Sequence, residues 1–358
     1  MPPPPASWTE FHPARVCLIK PSSLGDVVHA LPTLSALRTL WPKAHLAWVV
    51  NRSLRGLLDG LPNLDEVIPF DRKRAGLTPG TLRATGRFLA DLRGRKFDLA
   101  IDLQGLLRSG LMAAATGAAI RVGAAEAREG ASRFYTHRVA PCPPGTHAVD
   151  RLLAVAGALG AEVGTPRFEV ACSPTDRAWA RSLLAGIPAP RLVVNLGARW
   201  LTKRWPPEHF AEVARRASIV RGAGLVVVGA PEDRPLAVAF AARLGTIPRI
   251  DLCGATTLPQ LAALAEASDA FLSNDTGPLH LAAAAGARVV GVYTCTDPRL
   301  TGPYGPKALA VAAATWCAAS CLRSCGRMDC MADLTPDHVW AAVARQFDAG
   351  AALTTWAA

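Results

Sequence analysis

An acid sits one residue past a glycine, where an apolar run gives way to helical spacing. It is the first feature of the chain that could do chemistry. In KPSSLGDVVHALP (20–32), Asp26 follows Gly25, and Ser22 and Ser23 form the turn. The run VCLI precedes it, and Val27, Val28, Leu31 and Leu34 recur behind it at helical intervals. Strand, short Gly-bearing turn and helix make an α/β unit. Ligands in open α/β sheets sit just outside the carboxyl ends of the strands. The plainer reading is that Asp26 complements the positive end of the helix dipole.

A second set lies at four predicted strand ends further on. NLGARWLTKRWP carries Lys203, GAPED carries Glu232, SNDTGPLH carries Asp275, Thr276, Gly277 and His280, and TDP carries Thr296 and Asp297. In a parallel sheet these ends converge on one edge. Amides at a helix N-terminus, a glycine permitting close approach and a lysine make an anion site. Glu232 could accept hydrogen bonds from a ribose diol, so the set reads as a site for a nucleoside diphosphate. Singly, each piece has a bland reading. Lys203 and Arg204 could be a solvated turn, Asp275 a helix cap and His280 a core histidine. Four such turns at one edge favour the site. No G-x-G-x-x-G and no G-x-x-x-x-G-K-[ST] occurs, which argues against a dinucleotide dehydrogenase and a P-loop enzyme. No D-x-D pair is offered to a divalent metal.

The elements that must hold these residues alternate. RVCLIK, HLAWVV (45–50), EVIPF, FDLAIDLQG and RVGAA read as strands. Helices are expected over about 26–41, near 52–60 and over 147–161. A basic stretch holds Arg72, Lys73, Arg74, Arg83, Arg87, Arg93, Arg95 and Lys96, with Asp71 and Asp91 the nearest acids. The segment 164–174, punctuated by Pro166 and Pro174, reads as a crossing between domains, after which the pattern restarts. RLVVNLGA, GLVVVGAPED, AFLSND and RVVGVYTCTDP are the second set of strands, and no short internal repeat is visible. The expected architecture is α/β, with two doubly wound domains in tandem around a cleft.

The totals agree. A chain of 358 residues is long for one core, and a net charge of +11 suggests an acidic partner. High Arg usage beside abundant Ala and Gly could also reflect base composition. No apolar run approaches a membrane span. The start, MPPPPASWTEFHP, has neither the basic end nor the apolar stretch of a signal peptide and is expected to be a disordered tail over 1–13. The expected location is the cytosol, with the nine cysteines mostly reduced. Cys317, Cys321 and Cys325 fall at i, i+4 and i+8, one face if helical, with Cys330 following. These four are zinc candidates, although the spacing is not a standard paired arrangement.

In this order, SSLGDVVHALP, FDLAIDLQGLLRSG, AREGASRFY, NLGARWLTKRWP, GAPED and SNDTGPLHLAAAAG resemble the ADP-heptose–lipopolysaccharide heptosyltransferases, glycosyltransferase family 9. The first three resemble heptosyltransferase I in particular. The resemblance spans about Arg15 to Val343. It implies a GT-B fold of two Rossmann-like domains, with the acceptor on 14–170 and the ADP-heptose donor on 171–358, the latter ending in a helix. It implies inverting transfer of L-glycero-D-manno-heptose from ADP-L-glycero-β-D-manno-heptose to the Kdo of the inner core, with no cofactor and no metal. Asp26 would be the general base and Lys203 would neutralise the departing ADP, helped by the Thr276–Gly277 amides. Ser22, Ser23 and Gly25 join the substrate site. Glu232 would meet the ribose, and Asp275 and His280 the pyrophosphate or heptose. Arg72, Lys73, Arg74, Gln104 and Arg128 would meet the acceptor. Partners would be Kdo-lipid A or a core oligosaccharide and an anionic membrane surface, at the cytoplasmic face of the inner membrane, with no nucleic acid. Gly197 and Ala198 stand where heptosyltransferase I carries threonines, which puts one phosphate contact in question. Three alternatives stay open: heptosyltransferase II or another family 9 transferase, a GT-B sugar-nucleotide epimerase, and an anionic-glycolipid binding module without catalysis.

Overall fold

Short apolar runs that are buried along their whole length are the marks of parallel strands covered on both faces. LVVN, GLVVV, AFLSN and VVGVY are such runs here. The computed structural model describes residues 8, 10–71 and 78–354. It divides into two units, Met1–Ala171 and Cys172–Ala358.

In the first unit the strands are β1 (Arg15–Ile19), β2 (His45–Asn51), β3 (Glu66–Phe70), β4 (Leu99–Asp102), β5 (Ile120–Ala124) and β6 (His137–Val139). Their order is β3-β2-β1-β4-β5-β6, with every pairing parallel. In the second unit they are β7 (Arg191–Asn195), β8 (Gly224–Val228), β9 (Arg249–Asp251), β10 (Ala270–Asn274), β11 (Val289–Tyr293) and β12 (Ala308–Ala312). Their order is β12-β11-β10-β7-β8-β9, again all parallel. Counted from its own first strand, each unit therefore runs 3-2-1-4-5-6. The chain leaves the first strand toward one side and returns to the other at the fourth. The loops after these two strands part and leave a crevice. In the first unit those loops carry Asp26 and Gln104. In the second they carry Lys203 and Asp275.

Local chemistry explains where the elements depart from expectation. The single helix expected over 26–41 is two, Leu24–His29 and Leu31–Leu40. Pro32 has no N–H to give the carbonyl of Val28, so the helix restarts. Residues Arg52–Leu57 form only a 3₁₀ turn. The expected disordered tail is corrected at its described end. Trp8 packs edge-on against Phe11 and His137, and the Phe11 carbonyl accepts from Trp41 Nε1 at 2.9 Å. Residues 1–7 and 9 lie outside the described residues.

Close approach fixes one glycine near the first crevice. A Cβ on Gly123 in β5 would lie 2.4 Å from the Tyr135 ring. Tyr135 is buried and donates to Asp102 Oδ2 at 2.6 Å. Gly123→Ala must displace that ring, and overpacking of this kind costs roughly 1–3 kcal/mol. Urea unfolding should show the loss as a lower midpoint at an unchanged slope.

Candidate active site

The first unit holds a cavity of about 560 Å³ at its switch point, lined among others by Lys20, Asp26, Asp102, Gln104, Arg128 and Arg151. Asp26 is the third residue of its short helix. Its Oδ2 accepts from Ser23 N at 2.9 Å and from Ser23 Oγ at 2.6 Å. The acid thus does cap the helix, and the same bonds fix its carboxylate at the cavity wall. Gly25 is buried beneath it. The Ser22 amide donates to Gln104 Oε1 at 3.4 Å, tying the β1 loop to the β4 loop. The Arg128 amide donates to the Gly105 carbonyl at 2.9 Å and so hangs the loop after β5 on the same exit. Gly105 takes a φ of +67° there, a left-handed turn that favours glycine.

Three charged wall residues were not picked out from the sequence. Lys20, 6% exposed, donates from Nζ to the Leu103 carbonyl at 2.9 Å. Burial pushes its pKa down, Asp26 and Asp102 pull it up, and Arg151 and Arg128 push it down again. Asp102, 2% exposed, has its pKa pushed up by burial, against hydrogen bonds from Tyr135 Oη and the amides of Gly105 and Gln104. Arg151 reaches the wall from the helix Ala148–Ala158. Their signal was position: Lys20 and Asp102 are polar residues at the ends of apolar strands.

Arg72, Lys73 and Arg74 lie outside the described residues. The rest of the basic stretch is not uniformly available. Arg95 pairs with Glu66 and with Asp91, the latter at 2.9 Å. Arg83 and Arg87 are exposed on the helix Pro79–Gly94.

In the second unit Asp275 is the hub. It is 4% exposed, and its Oδ2 lies 2.5 Å from Lys203 Nζ and accepts from Thr296 Oγ1 at 2.5 Å. His280 Nε2 lies 3.4 Å from Oδ1. Burial pushes the Asp275 carboxyl up, but the hydrogen bond from His280 and the charge of Lys203 outweigh it and hold the acid below the usual carboxylate range. Three of the four predicted strand ends thus meet at one carboxylate. Thr276 is the N-cap of the helix Gly277–Ala284. Glu232 is exposed at the start of the 3₁₀ turn Pro231–Asp233. Its neighbour Asp233 is buried and accepts from the Ala230 amide at 2.9 Å. A Cβ on Gly197 would lie 2.1 Å from Asp233 Oδ2, so a glycine after β7 is what lets that carboxylate in.

The cysteine face is corrected. Residues 317–325 are turns and bends rather than helix, with Ala319 and Cys321 at positive φ. Cys317, Cys321, Cys325 and Cys330 therefore share no helical face. Among the described residues no group of three or more His, Cys, Asp or Glu is placed to hold a metal ion. All nine cysteines are free thiols.

Two doubly wound parallel sheets, each with polar groups gathered at its switch point, are the architecture of the GT-B fold. Comparison with known proteins agrees. The profile of glycosyltransferase family 9 (heptosyltransferase) matches residues 85–331. Lipopolysaccharide heptosyltransferase 1 of Pseudomonas aeruginosa is 33% identical over 306 residues, 81% of each chain. Lipopolysaccharide core heptosyltransferase OpsX of Haemophilus influenzae is 28% identical over 295 residues, 82% of each. The solved structure of Escherichia coli heptosyltransferase WaaC with ADP superposes with a TM-score of 0.74 at 25% identity, covering 93% of this chain and 99% of that one. The chain belongs to glycosyltransferase family 9 and is a transferase.

Asp275 gives a pH signature. A carboxyl whose folded pKa is depressed contributes stability that is complete above its unfolded pKa and is lost as pH falls toward the folded value. At pH 7, Asp275→Asn should unfold at lower denaturant than the wild type, because Lys203 is left without its partner. That gap should narrow as the pH drops below about 4, the ordinary carboxylate range. Denaturant midpoints of the two proteins across pH 2–7 check it.

Proposed function

We propose that the chain is a lipopolysaccharide core heptosyltransferase of the heptosyltransferase I type, moving heptose from ADP-heptose to a Kdo sugar with inversion at the anomeric carbon. The observation that carries this reading is the company Asp26 keeps in the first unit. An acid fixed by Ser23 shares a cavity with Lys20, Arg128 and Arg151. A carboxylated sugar acceptor brings a negative charge for the cations and a hydroxyl for the acid. The first unit is the acceptor domain in this reading and the second the donor domain.

The chemistry is one displacement. The acceptor hydroxyl gives its proton to the Asp26 carboxylate as its oxygen bonds to the anomeric carbon. The bond from that carbon to the ADP oxygen breaks. Lys203 and the amides at the start of the Gly277 helix take up the charge left on the diphosphate. Asp275 and His280 keep Lys203 in place, and Glu232 holds the ribose. Ser22, Ser23 and Gly25 shape the acceptor side with Gln104. The exposed Arg83 and Arg87, and the basic run before them, suit an anionic membrane carrying a lipid-linked acceptor. Among the described residues no helix is long and apolar enough to cross a membrane. That fits work at the cytoplasmic face of the inner membrane.

The direct test is incubation with ADP-heptose and either Kdo-lipid A or an acceptor already carrying one heptose, with mass analysis of the product. Heptose added only to the second acceptor would replace this reading with a heptosyltransferase II type. Asp26→Ala should keep ADP affinity and lose transfer, whereas near-normal turnover would take Asp26 out of the mechanism. Lys203→Ala should weaken donor use by roughly 1.5–3 kcal/mol, the usual worth of a hydrogen bond to a charged group. Steady-state kinetics with ADP-heptose varied would read that loss.

A further inference from the structure

The cysteine-rich segment finds no use in that reaction, yet it is fastened to the loops that perform it. Thr202, next to Lys203, donates from Oγ1 to the Leu322 carbonyl at 2.7 Å. The Cys321 amide donates to the carbonyl of Cys295, next to Thr296, at 2.8 Å. Thr294 Oγ1 donates to the Thr202 carbonyl at 2.5 Å and joins the two loops to each other. Residues 321 and 322 are therefore pinned to both loops whose side chains reach Asp275. The next residue is Arg323.

Arg323 Cζ lies 4.9 Å from the centroid of the Trp200 ring, and Lys203 Nζ lies 4.8 Å from the same centroid. Each contact is within cation–π range. The two charges are then within about 10 Å of each other, on the order of the Debye length at physiological salt. Asp275 answers the charge of Lys203. Among the described residues no carboxylate forms an ion pair with Arg323, whose side chain is exposed. A cation carried next to two backbone anchors and stacked on the same aromatic ring as a second cation is half of an anion site. Its planar fork matches phosphate oxygens in pairs.

We propose that Arg323 is a donor-binding residue, and that the cysteine-rich segment exists in this chain to carry it onto the diphosphate of the nucleotide, beside Lys203. The inference rests on the second unit taking a nucleoside diphosphate. Trp200 acts as the platform that spaces the two cations. Lys203 serves the leaving oxygen from within the fold, and Arg323 closes on the diphosphate from the exposed side.

Calorimetric titration of the full chain with ADP and with adenosine tests this. Arg323→Ala should raise the Kd for ADP about tenfold, the scale of one charge-assisted contact, and leave that for adenosine unchanged. Arg323→Lys should recover part of the loss, and Trp200→Leu should weaken ADP but not adenosine. Because Arg323 is exposed, the two Arg323 variants should unfold at the wild-type temperature. If Arg323→Ala binds ADP like the wild type while Lys203→Ala does not, Arg323 is surface and the donor site stands without it. Equal losses for ADP and adenosine would make its role structural and overturn the assignment. If both Arg323→Ala and Lys203→Ala bind ADP normally, the donor reading itself fails and this inference falls with it.

Discussion

A single buried amide holds the second unit's chemistry in register. Asn274, fully enclosed at the end of β10, donates from Nδ2 to the Leu196 carbonyl at 2.8 Å and accepts at Oδ1 from the Trp205 amide at 3.0 Å. Those two partners bracket the loop that carries Lys203, so one side chain clamps both ends of it. The next residue after the clamp is Asp275. Trp205 is in turn buried, and its Nε1 donates to the Leu334 carbonyl at 2.8 Å. Every polar atom of the amide is used, and leaving one such buried group unmet costs about 1–3 kcal/mol. Fixing the loop this way sets the lysine before any ligand arrives, which removes an ordering cost from binding.

The two crevices handle charge differently. In the first, Lys20 and Asp102 are both buried and both pushed by burial toward their neutral forms. Asp102 is surrounded by donors that keep it usable as an acceptor, while Lys20 is anchored on a carbonyl. In the second, a buried carboxylate is over-supplied with partners and stays ionised well into acid.

The sheets were legible because their strands are buried on both faces and so are written as short unbroken apolar runs. β6, β9 and β12 were not, being edge strands, of which the first two have only three residues each and β12 is only half buried. The helices Pro174–Ala185 and Arg234–Leu244 also went unread. The latter has an apolar pattern too even to show a face. Of the site, Asp26 and the group around Asp275 could be found because they follow strands at turns. Lys20 carried the same positional signal but was passed over, since a lysine at a strand end reads as solvated until the fold closes over it. Arg323 sits in a segment whose cysteines drew attention to metal chemistry, and only the hydrogen bonds of Thr202 and Cys321 reveal where that segment is tied. That both units repeat one strand order left no trace as sequence repetition, because order is fixed by connection lengths and burial rather than by particular residues.

The packing of Gly197 against Asp233 has an evolutionary side. With the carboxylate in place, no residue with a Cβ fits at 197. A relative with threonine there must hold the side chain at 233 shortened or turned away. The two positions are thus coupled: a Cβ at 197 and the carboxylate in its present place exclude each other. Chains of this fold should therefore hold the two sites in matched combinations, so that the side chains the turn after β7 can offer are set on the neighbouring turn.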